Sequence, residues 1–409
     1  MARTDRRLHV VNMQRATMAD VAARAGAAFA PSTRVRIGAE VEWLVFDRDD
    51  PTRRIDAADV ARIASGQLPA GGTVTIEPGG QVELVTPPHD GPRRLIDAID
   101  TDTLVLAQRF DKHHLALVPL GLDPIRDPVR TLDVGRYAAM ENYFMKVSPA
   151  GVRMMNSTAS LQLNIDFGAE PARTWHRAGV AAPLLAAAFA NSPTTDGIEF
   201  GPTSHRMGVW AATDPTRTRP VGPDTADWAR YVLDAQVMPA QLSDRWGTEV
   251  DPLPFHLWLD HAEPPTIDDL DRHITTLFPP VRPRRYLEFR MLDALPARGR
   301  TAAIATVWAL MTNRDVGELA LEAAQPLADP WPLVRNEGLA NSSLRTAATA
   351  LLDATAGWAR SNDARISDAV ASWRERSPAT HPADVSNWLL DTAEPAEWSE
   401  PAIRGDLVD

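Results

Sequence analysis

Glu40 and Glu42 stand two residues apart in Gly38-Ala-Glu-Val-Glu-Trp-Leu-Val45. In an extended chain, side chains two apart share a face. The two glutamates therefore point one way, and Ala39, Val41, Trp43 and Val45 point the other. Three further segments repeat the pattern. Glu83 opposes Val82 and Leu84; Gln162, Asn164 and Asp166 oppose Leu161, Leu163 and Ile165; Tyr286, Glu288 and Arg290 oppose Leu287, Phe289 and Met291. Glu77 stands at a strand end, just before Pro78-Gly79-Gly80. Any one such strand is explained by an antiparallel sheet with one wet face. As a set, they would put a run of carboxylates on one surface. Two carboxylates roughly 4–5 Å apart repel by about 3–4 kcal/mol at an effective dielectric near 20, so the set needs counter-charge. Arg290 supplies some, and Arg36, at the right parity, is expected to supply more. Divalent cations would supply the rest. Carboxylate and amide oxygens suit a hard cation, and magnesium typically pairs a few carboxylates with substrate phosphates. The pattern points to a nucleotide held through metal.

Motifs for other routes to a phosphate or a nucleophile are missing. There is no G-x-x-x-x-G-K-[ST], G-x-G-x-x-G, H-E-x-x-H or G-x-S-x-G. The histidines lack metal-ligand spacing, and His89 and the His113-His114 pair are expected on the surface or at caps. Cysteine is absent, which excludes a disulfide, a thiol nucleophile and a thiolate-bound metal. The formal net charge of −12 argues against nucleic acid and against an anionic membrane surface. Of 42 basic residues only Lys112 and Lys146 are lysines, so a polyphosphate would be held by arginine, metal or backbone. The N-terminal residues lack the apolar core of a signal peptide. No run approaches the ~18 apolar residues of a membrane helix. The expected location is the cytoplasm.

The elements that must position these residues follow from periodicity. Thr17-Met-Ala-Asp20 predicts a capping box opening a helix that ends before Pro31. Strands are predicted over Val35 to Phe46, Thr73 to Glu77, Gln81 to Thr86, Leu115 to Leu120, Ser160 to Phe167 and Tyr286 to Met291. Helical spacing covers Leu95 to His113, Gly135 to Met145, Ala178 to Ala190 (interrupted early by Pro183) and Trp228 to Val237. Thr213 to Thr225, with three prolines, is expected to be a loop. Beyond Arg300, Thr301 to Ala323, Ser343 to Arg360 and Ile366 to Arg374 are all helical in spacing. The expectation is an α+β fold in one catalytic domain: an N-terminal helix in 1–34, sheet and active site in 35–295, and a helical C-terminal layer in 296–409.

Five segments, in this order, resemble glutamate–cysteine ligases of the plant type, including the actinobacterial enzymes that begin ergothioneine synthesis. They are Ile37-Gly-Ala-Glu-Val-Glu, Glu77-Pro-Gly-Gly-Gln-Val-Glu-Leu-Val-Thr-Pro87, Leu161-Gln-Leu-Asn-Ile-Asp, Arg206-Met-Gly-Val-Trp-Ala-Ala-Thr-Asp-Pro-Thr-Arg-Thr218 and Tyr286-Leu-Glu-Phe-Arg290. Arg136-Tyr-x-x-Met-x-x-Tyr-Phe144 is also similar to that family. The resemblance implies a glutamine-synthetase-like fold, a curved antiparallel sheet forming a funnel flanked by helices. It implies the joining of the L-glutamate γ-carboxylate to the amine of L-cysteine through a γ-glutamyl phosphate, with ATP and Mg2+. By position, Glu40, Glu42, Glu83 and Glu288 are implied as magnesium ligands. Gln162 stands where some relatives have a metal-binding histidine and would offer its amide oxygen. Arg290 is implied at the transferred phosphoryl group, with Asn164 on the nucleotide side, and Arg206 at the glutamate substrate. Trp210 and Tyr286 would border the substrate pocket. Glu77 is a candidate metal ligand, or the base that takes the proton from the amine. Arg217 would touch phosphate or stand in solvent.

Three other readings compete. A ligase of the same fold could take a different acceptor; a kinase-like enzyme would release its phosphorylated product; an amino-acid-binding protein would turn nothing over. The expected partners are small molecules only (ATP, L-glutamate and L-cysteine), with the chain a monomer or a small homo-oligomer.

Overall fold

A computed structural model describes residues 14–192, 203–238, 253–376 and 391–395. Its centre is an antiparallel sheet of β1 (Ile37–Asp47), β2 (Thr73–Ile76), β3 (Val82–Val85), β4 (Leu115–Val118), β5 (Ser160–Ile165), β6 (Val281–Pro283) and β7 (Leu287–Asp293). The strands run in the order β2-β3-β1-β5-β7-β6, and β4 pairs with the far half of β1, from Leu44↔Val118 to Asp47↔Leu115. The sheet is open, and every pairing in it is antiparallel.

Alternation explains the strands. Ile37, Ala39, Val41 and Trp43 on β1, Val82 and Leu84 on β3, Leu161 and Leu163 on β5, and Leu287, Phe289 and Met291 on β7 are all buried. Burying each large apolar side chain contributes roughly 1.5–3 kcal/mol, enough to fix the register: a slip of one residue would turn this whole set outward. Helices Pro92–Asp111, Pro171–Ala188 and Ala297–Thr312 pack on the sheet. Arg314–Ala324, Pro330–Asn336, Ser342–Arg360 and Ala364–Glu375 complete the expected helical layer. The α+β expectation holds.

The predicted capping box is present: Asp20 accepts from the Thr17 amide at 2.9 Å, and Thr17 Oγ1 accepts from the Asp20 amide at 3.3 Å. Three expectations need correction. Pro183 does not interrupt its helix, which starts earlier, at Pro171, and runs through to Ala188. A proline inside a helix costs about 3 kcal/mol; here the buried Ala178, Ala181, Ala182, Leu184 and Leu185 on both sides offset it. The stretch from Thr301 to Ala323 is not one helix, because Asn313 ends the first and caps the second by accepting from the Val316 amide at 3.0 Å. The proline-rich loop after Thr213 holds a helical turn, Pro215–Thr218, started by proline at its first position and capped by Asp214.

Behind β1, the segment 391–395 docks on the core. The Glu394 amide donates to Leu117 O at 2.8 Å, and its carboxylate accepts from Trp43 Nε1 at 3.0 Å and pairs with Arg300. Trp43, the back-face neighbour of Glu42, is thereby fixed.

Candidate active site

Register brings the acids together. Glu42 pairs directly with Glu83 across β1 and β3, and Glu40 with Gln162 across β1 and β5. Asn164 pairs with Glu288 across β5 and β7, and Glu288 with Arg282 across β7 and β6. Directly opposed side chains in an antiparallel pair have Cβ atoms about 4.5–5.5 Å apart, and like charges there repel. Glu77 joins from the turn before β3. Its amide donates to Gln81 O at 2.9 Å, and Gly80, at φ +89°, closes the turn by donating to Glu77 O. Gly79 is there for closeness: an added Cβ would stand 2.0 Å from Asn156 O.

The carboxylates feel one another. Burial raises the pKa of Glu42 against the opposing charge of Arg206. Burial, and then the charge of Glu42, push Glu77 up to about 7. Burial, Glu42 and Glu77 push Glu83 up to about 8, although Thr75 donates a hydrogen bond to it. Glu288 differs. Burial pushes it up, but Arg282 and Arg290 overcome this and hold it down to about 2. Arg282 grips Glu288 in a fork, with Nη2 at 3.0 Å from Oε1; Arg290 Nη1 lies 3.2 Å from Oε2, and Arg284 Nη1 lies 3.6 Å from Oε1.

The amides of β5 tie the acids in place. Gln162 Nε2 donates to Glu42 Oε1 at 3.1 Å, and Gln162 Oε1 accepts from Arg290 Nη1 at 2.6 Å. The Ser160 amide donates to Glu42 Oε2 at 2.8 Å. Asn164 Nδ2 donates to Glu40 Oε1 at 3.0 Å, whereas its own Oδ1 is buried with no partner.

Arg206 enters from helix His205–Thr213, which Ser204 caps by accepting from the Met207 amide. Ser204 also donates to Asp293 Oδ1 at 2.9 Å, so the cap is anchored to the end of β7. Arg206 is only 2 % exposed. Its Nη2 donates to Arg290 O at 2.9 Å, and Nη1 lies 3.8 Å from Asp293 Oδ1. Trp210 is buried, donates to Phe278 O at 2.8 Å, and carries the guanidiniums of Arg206 and Arg290 at 5.1 and 5.8 Å from its ring centre. Tyr286 is half-buried on the same face as Glu288, and the charges of Glu288 and Glu40 add to burial in raising its pKa.

Two arginines are committed elsewhere. Arg36 is spent on Asp166, 3.2 Å away at the exposed margin of the sheet. Arg217 does not stand in solvent. It is fully buried, pairs with Asp214 at 2.7 Å, and donates to Thr276 O and to the Tyr143 hydroxyl.

Sequence reasoning missed Arg282 and Arg284, because Val281-Arg-Pro is too short and too proline-rich to announce a strand. Their shared parity with Glu288 across a tight connection was the available signal. It also missed a separate role for Tyr137. Arg136 donates to its hydroxyl at 2.6 Å, and after burial the charge of Glu77 raises its pKa, which sets it beside the acids.

Magnesium suits this donor set. The oxygens are hard, the carboxylates are under-compensated, and a buried amide oxygen stands unpaired among them. Among the described residues, no three His, Cys, Asp or Glu side chains alone form a metal-holding group. A cation here would need amide, water or phosphate oxygens to complete its shell.

Comparison with known proteins shows the family. Residues 36–389 match the glutamate-cysteine ligase family 2 (GCS2). The chain is 41% identical over 338 residues to a glutamate–cysteine ligase EgtA of Mycolicibacterium smegmatis, covering 76% of this chain and 78% of that protein. It is 38% identical over 338 residues to the EgtA ligase of Mycobacterium tuberculosis, with 78% of each chain covered. A chloroplastic glutamate–cysteine ligase of Brassica juncea is 32% identical over 66% of this chain and 54% of its own length. In fold, the chain is similar to a glutamate–cysteine ligase (gshA) from Francisella tularensis solved in complex with AMP. The TM-score is 0.53 at 12% identity, over 89% of this chain and 88% of that one. The chain belongs to the glutamate–cysteine ligase family.

Proposed function

We infer that this protein is an ATP-dependent glutamate–cysteine ligase, joining the γ-carboxylate of L-glutamate to the amine of L-cysteine with release of ADP and phosphate. The observation that carries the reading is the meeting on one sheet face of under-compensated glutamates with two arginines bound to the same tryptophan. In the first step the γ-carboxylate attacks the terminal phosphorus of ATP, ADP leaves, and an acyl phosphate forms. In the second the cysteine nitrogen attacks the acyl carbon, phosphate leaves, and the nitrogen gives up a proton.

Glu40, Glu42, Glu83 and Glu288 are the proposed carboxylate ligands of magnesium, which when bound would offset charge on the phosphates. Arg290 would meet the transferred phosphoryl group, its guanidinium held by Gln162 and Glu288. Arg206 would hold the glutamate substrate, with Trp210 and Tyr286 as pocket walls. Glu77 is the proposed base. A carboxylate pushed up to about 7 accepts a proton near working pH and returns it readily. Asn164 stands toward the nucleotide.

Among the described residues no helix is long and apolar enough to cross a membrane. We place the protein in the cytoplasm, with its product feeding ergothioneine or another low-molecular-weight thiol. The test is ADP release with ATP and magnesium, adding L-glutamate and L-cysteine separately and together. Release that needs both and stops with EDTA supports the ligase. Release with glutamate and another amine keeps the chemistry but changes the acceptor. Phosphoryl transfer with no amine present indicates a kinase, and no turnover under any pairing ends the enzyme reading.

A further inference from the structure

We propose that Gln162 is a positioning residue that sets the geometry of Arg290 against Glu42, and that it does not ligate the cation. The proposal rests on the ligase reading above. Gln162 has one amide oxygen and one amide nitrogen, and both are committed. The oxygen accepts from Arg290 Nη1 at 2.6 Å and the nitrogen donates to Glu42 Oε1 at 3.1 Å. Chemistry fixes this orientation. Rotating the amide by half a turn would set its N–H groups against a guanidinium and its oxygen against a carboxylate, both repulsive. The oxygen keeps a second lone pair, but a dication bound there would share one oxygen with the Arg290 guanidinium and repel it, so ligation would weaken the hold on Arg290. Arg290 already has a buried Nε without a partner.

The neighbouring amide is in the opposite state. Asn164 lies two residues along the same strand face; its Nδ2 is spent on Glu40, and its Oδ1 is buried without a partner. An unpaired buried acceptor costs stability until something binds it. The strand therefore offers one amide that orients the catalytic arginine and one that has an oxygen to give. The bridge at Gln162 also separates the functions of its two partners. It holds the guanidinium and the carboxylate at either end of a neutral amide, so that they do not collapse into a direct ion pair.

The test uses the full chain and two independent readouts, Mn2+ binding followed by electron paramagnetic resonance and steady-state kinetics. For Gln162→Ala we expect Mn2+ affinity within about twofold of wild type and kcat lower by a factor of ten to a hundred. The melting temperature should fall, because Arg290 and Glu42 each lose a buried partner, so both readouts are taken well below it. Gln162→Met, of similar length but without donor or acceptor, should behave alike and stands in if the alanine variant folds poorly. Asn164→Ala should weaken Mn2+ binding. A tenfold or greater loss of Mn2+ affinity in the Gln162 variants, with kcat kept at saturating metal, would overturn the proposal. If the wild type binds Mn2+ but forms no ADP with any amine, the ligase reading has failed, and the Mn2+ titrations still decide whether Gln162 is a ligand.

Discussion

Arg206 donates from Nη2 to the main-chain oxygen of Arg290 at 2.9 Å, and the guanidiniums of both residues lie against Trp210. Two cations buried this close need anions at their outer ends. Asp293 stands 3.8 Å from the first and Glu288 3.2 Å from the second. The pair is thus held from behind by fixed acids and the main chain, and an anionic substrate in front would complete the neutralisation.

From that arrangement follows the expected behaviour of Arg206→Lys. Lysine keeps the charge but is a point donor without the planar fork, so it cannot serve the Arg290 carbonyl and a substrate carboxylate together. Loss of one such charge-assisted contact is worth about 2–4 kcal/mol, or a thirty- to thousandfold fall in kcat/KM for glutamate. Steady-state kinetics check this, with thermal unfolding as control. An unchanged kcat/KM would remove Arg206 from the substrate site.

Glu83→Gln tests the acid face without substrate. Glu83 sits opposite Glu42, and the charges of Glu42 and Glu77 raise its pKa once burial has begun to do so. A carboxyl pushed up to about 8 is held largely protonated at neutral pH, so a neutral isostere removes the cost of that proton uptake and should stabilise the protein in EDTA by about 1–2 kcal/mol. Adding Mg2+ should raise the wild-type melting temperature, because a cation that binds only the folded state stabilises it. The variant should gain less. A variant less stable than wild type in EDTA would mean that protein groups hold Glu83 ionised and favourably paired.

The sheet and the acids were legible because both depend on period two. Once Leu161, Leu163 and Ile165 must be buried, Gln162 and Asn164 have one remaining face. Counter-charge was harder, because parity says which face an arginine takes but not how far along the strand its partner stands. Arg36 has the right parity and meets Asp166; Arg282, in a three-residue strand, is the one that reaches Glu288. Arg217 looked like a loop arginine because nothing local shows that Tyr143, from 74 residues away, encloses it. Burial by distant chain is a tertiary fact. The amide roles on β5 were hidden for the same reason, since sequence cannot show which oxygen is spent.

Gly79→Ala should displace Glu77. The new Cβ would fall 2.0 Å from Asn156 O, a main-chain atom that cannot rotate away. The turn must shift, at a cost of roughly 1–3 kcal/mol in stability, comparable to core overpacking. Activity should fall further than stability alone explains. Gly26→Ala is the control. Its Cβ meets nothing within 4 Å, and in a helix alanine is favoured by about 0.5–1 kcal/mol, so this variant should be more stable and fully active. Retained activity in Gly79→Ala would show that the position of Glu77 is not critical.

His273 makes stability depend on pH away from the active site. It lies in helix Ile267–Thr275, 2 % exposed, stacked on Phe255 with ring centres 4.5 Å apart. Its Nε2 is 2.9 Å from Val232 O, so the neutral ring carries its proton there, and Nδ1 has no partner. Burial, with the charge of Arg217, pushes its pKa down from 6.5 to about 3. Below pH 6.5 the unfolded chain takes up a proton that the folded ring refuses. The contribution of His273 to stability is therefore whole above pH 6.5 and is lost as pH falls toward 3, at about 1.4 kcal/mol per pH unit for one proton. His273→Gln removes this titration and keeps an N–H for Val232 O. Urea unfolding of both proteins from pH 6.5 to 4.5 should show the wild type losing about 2–3 kcal/mol more than the variant over that interval. Parallel losses would show that the folded ring accepts its proton at an ordinary pH, and that the packing around Phe255 opens to let it.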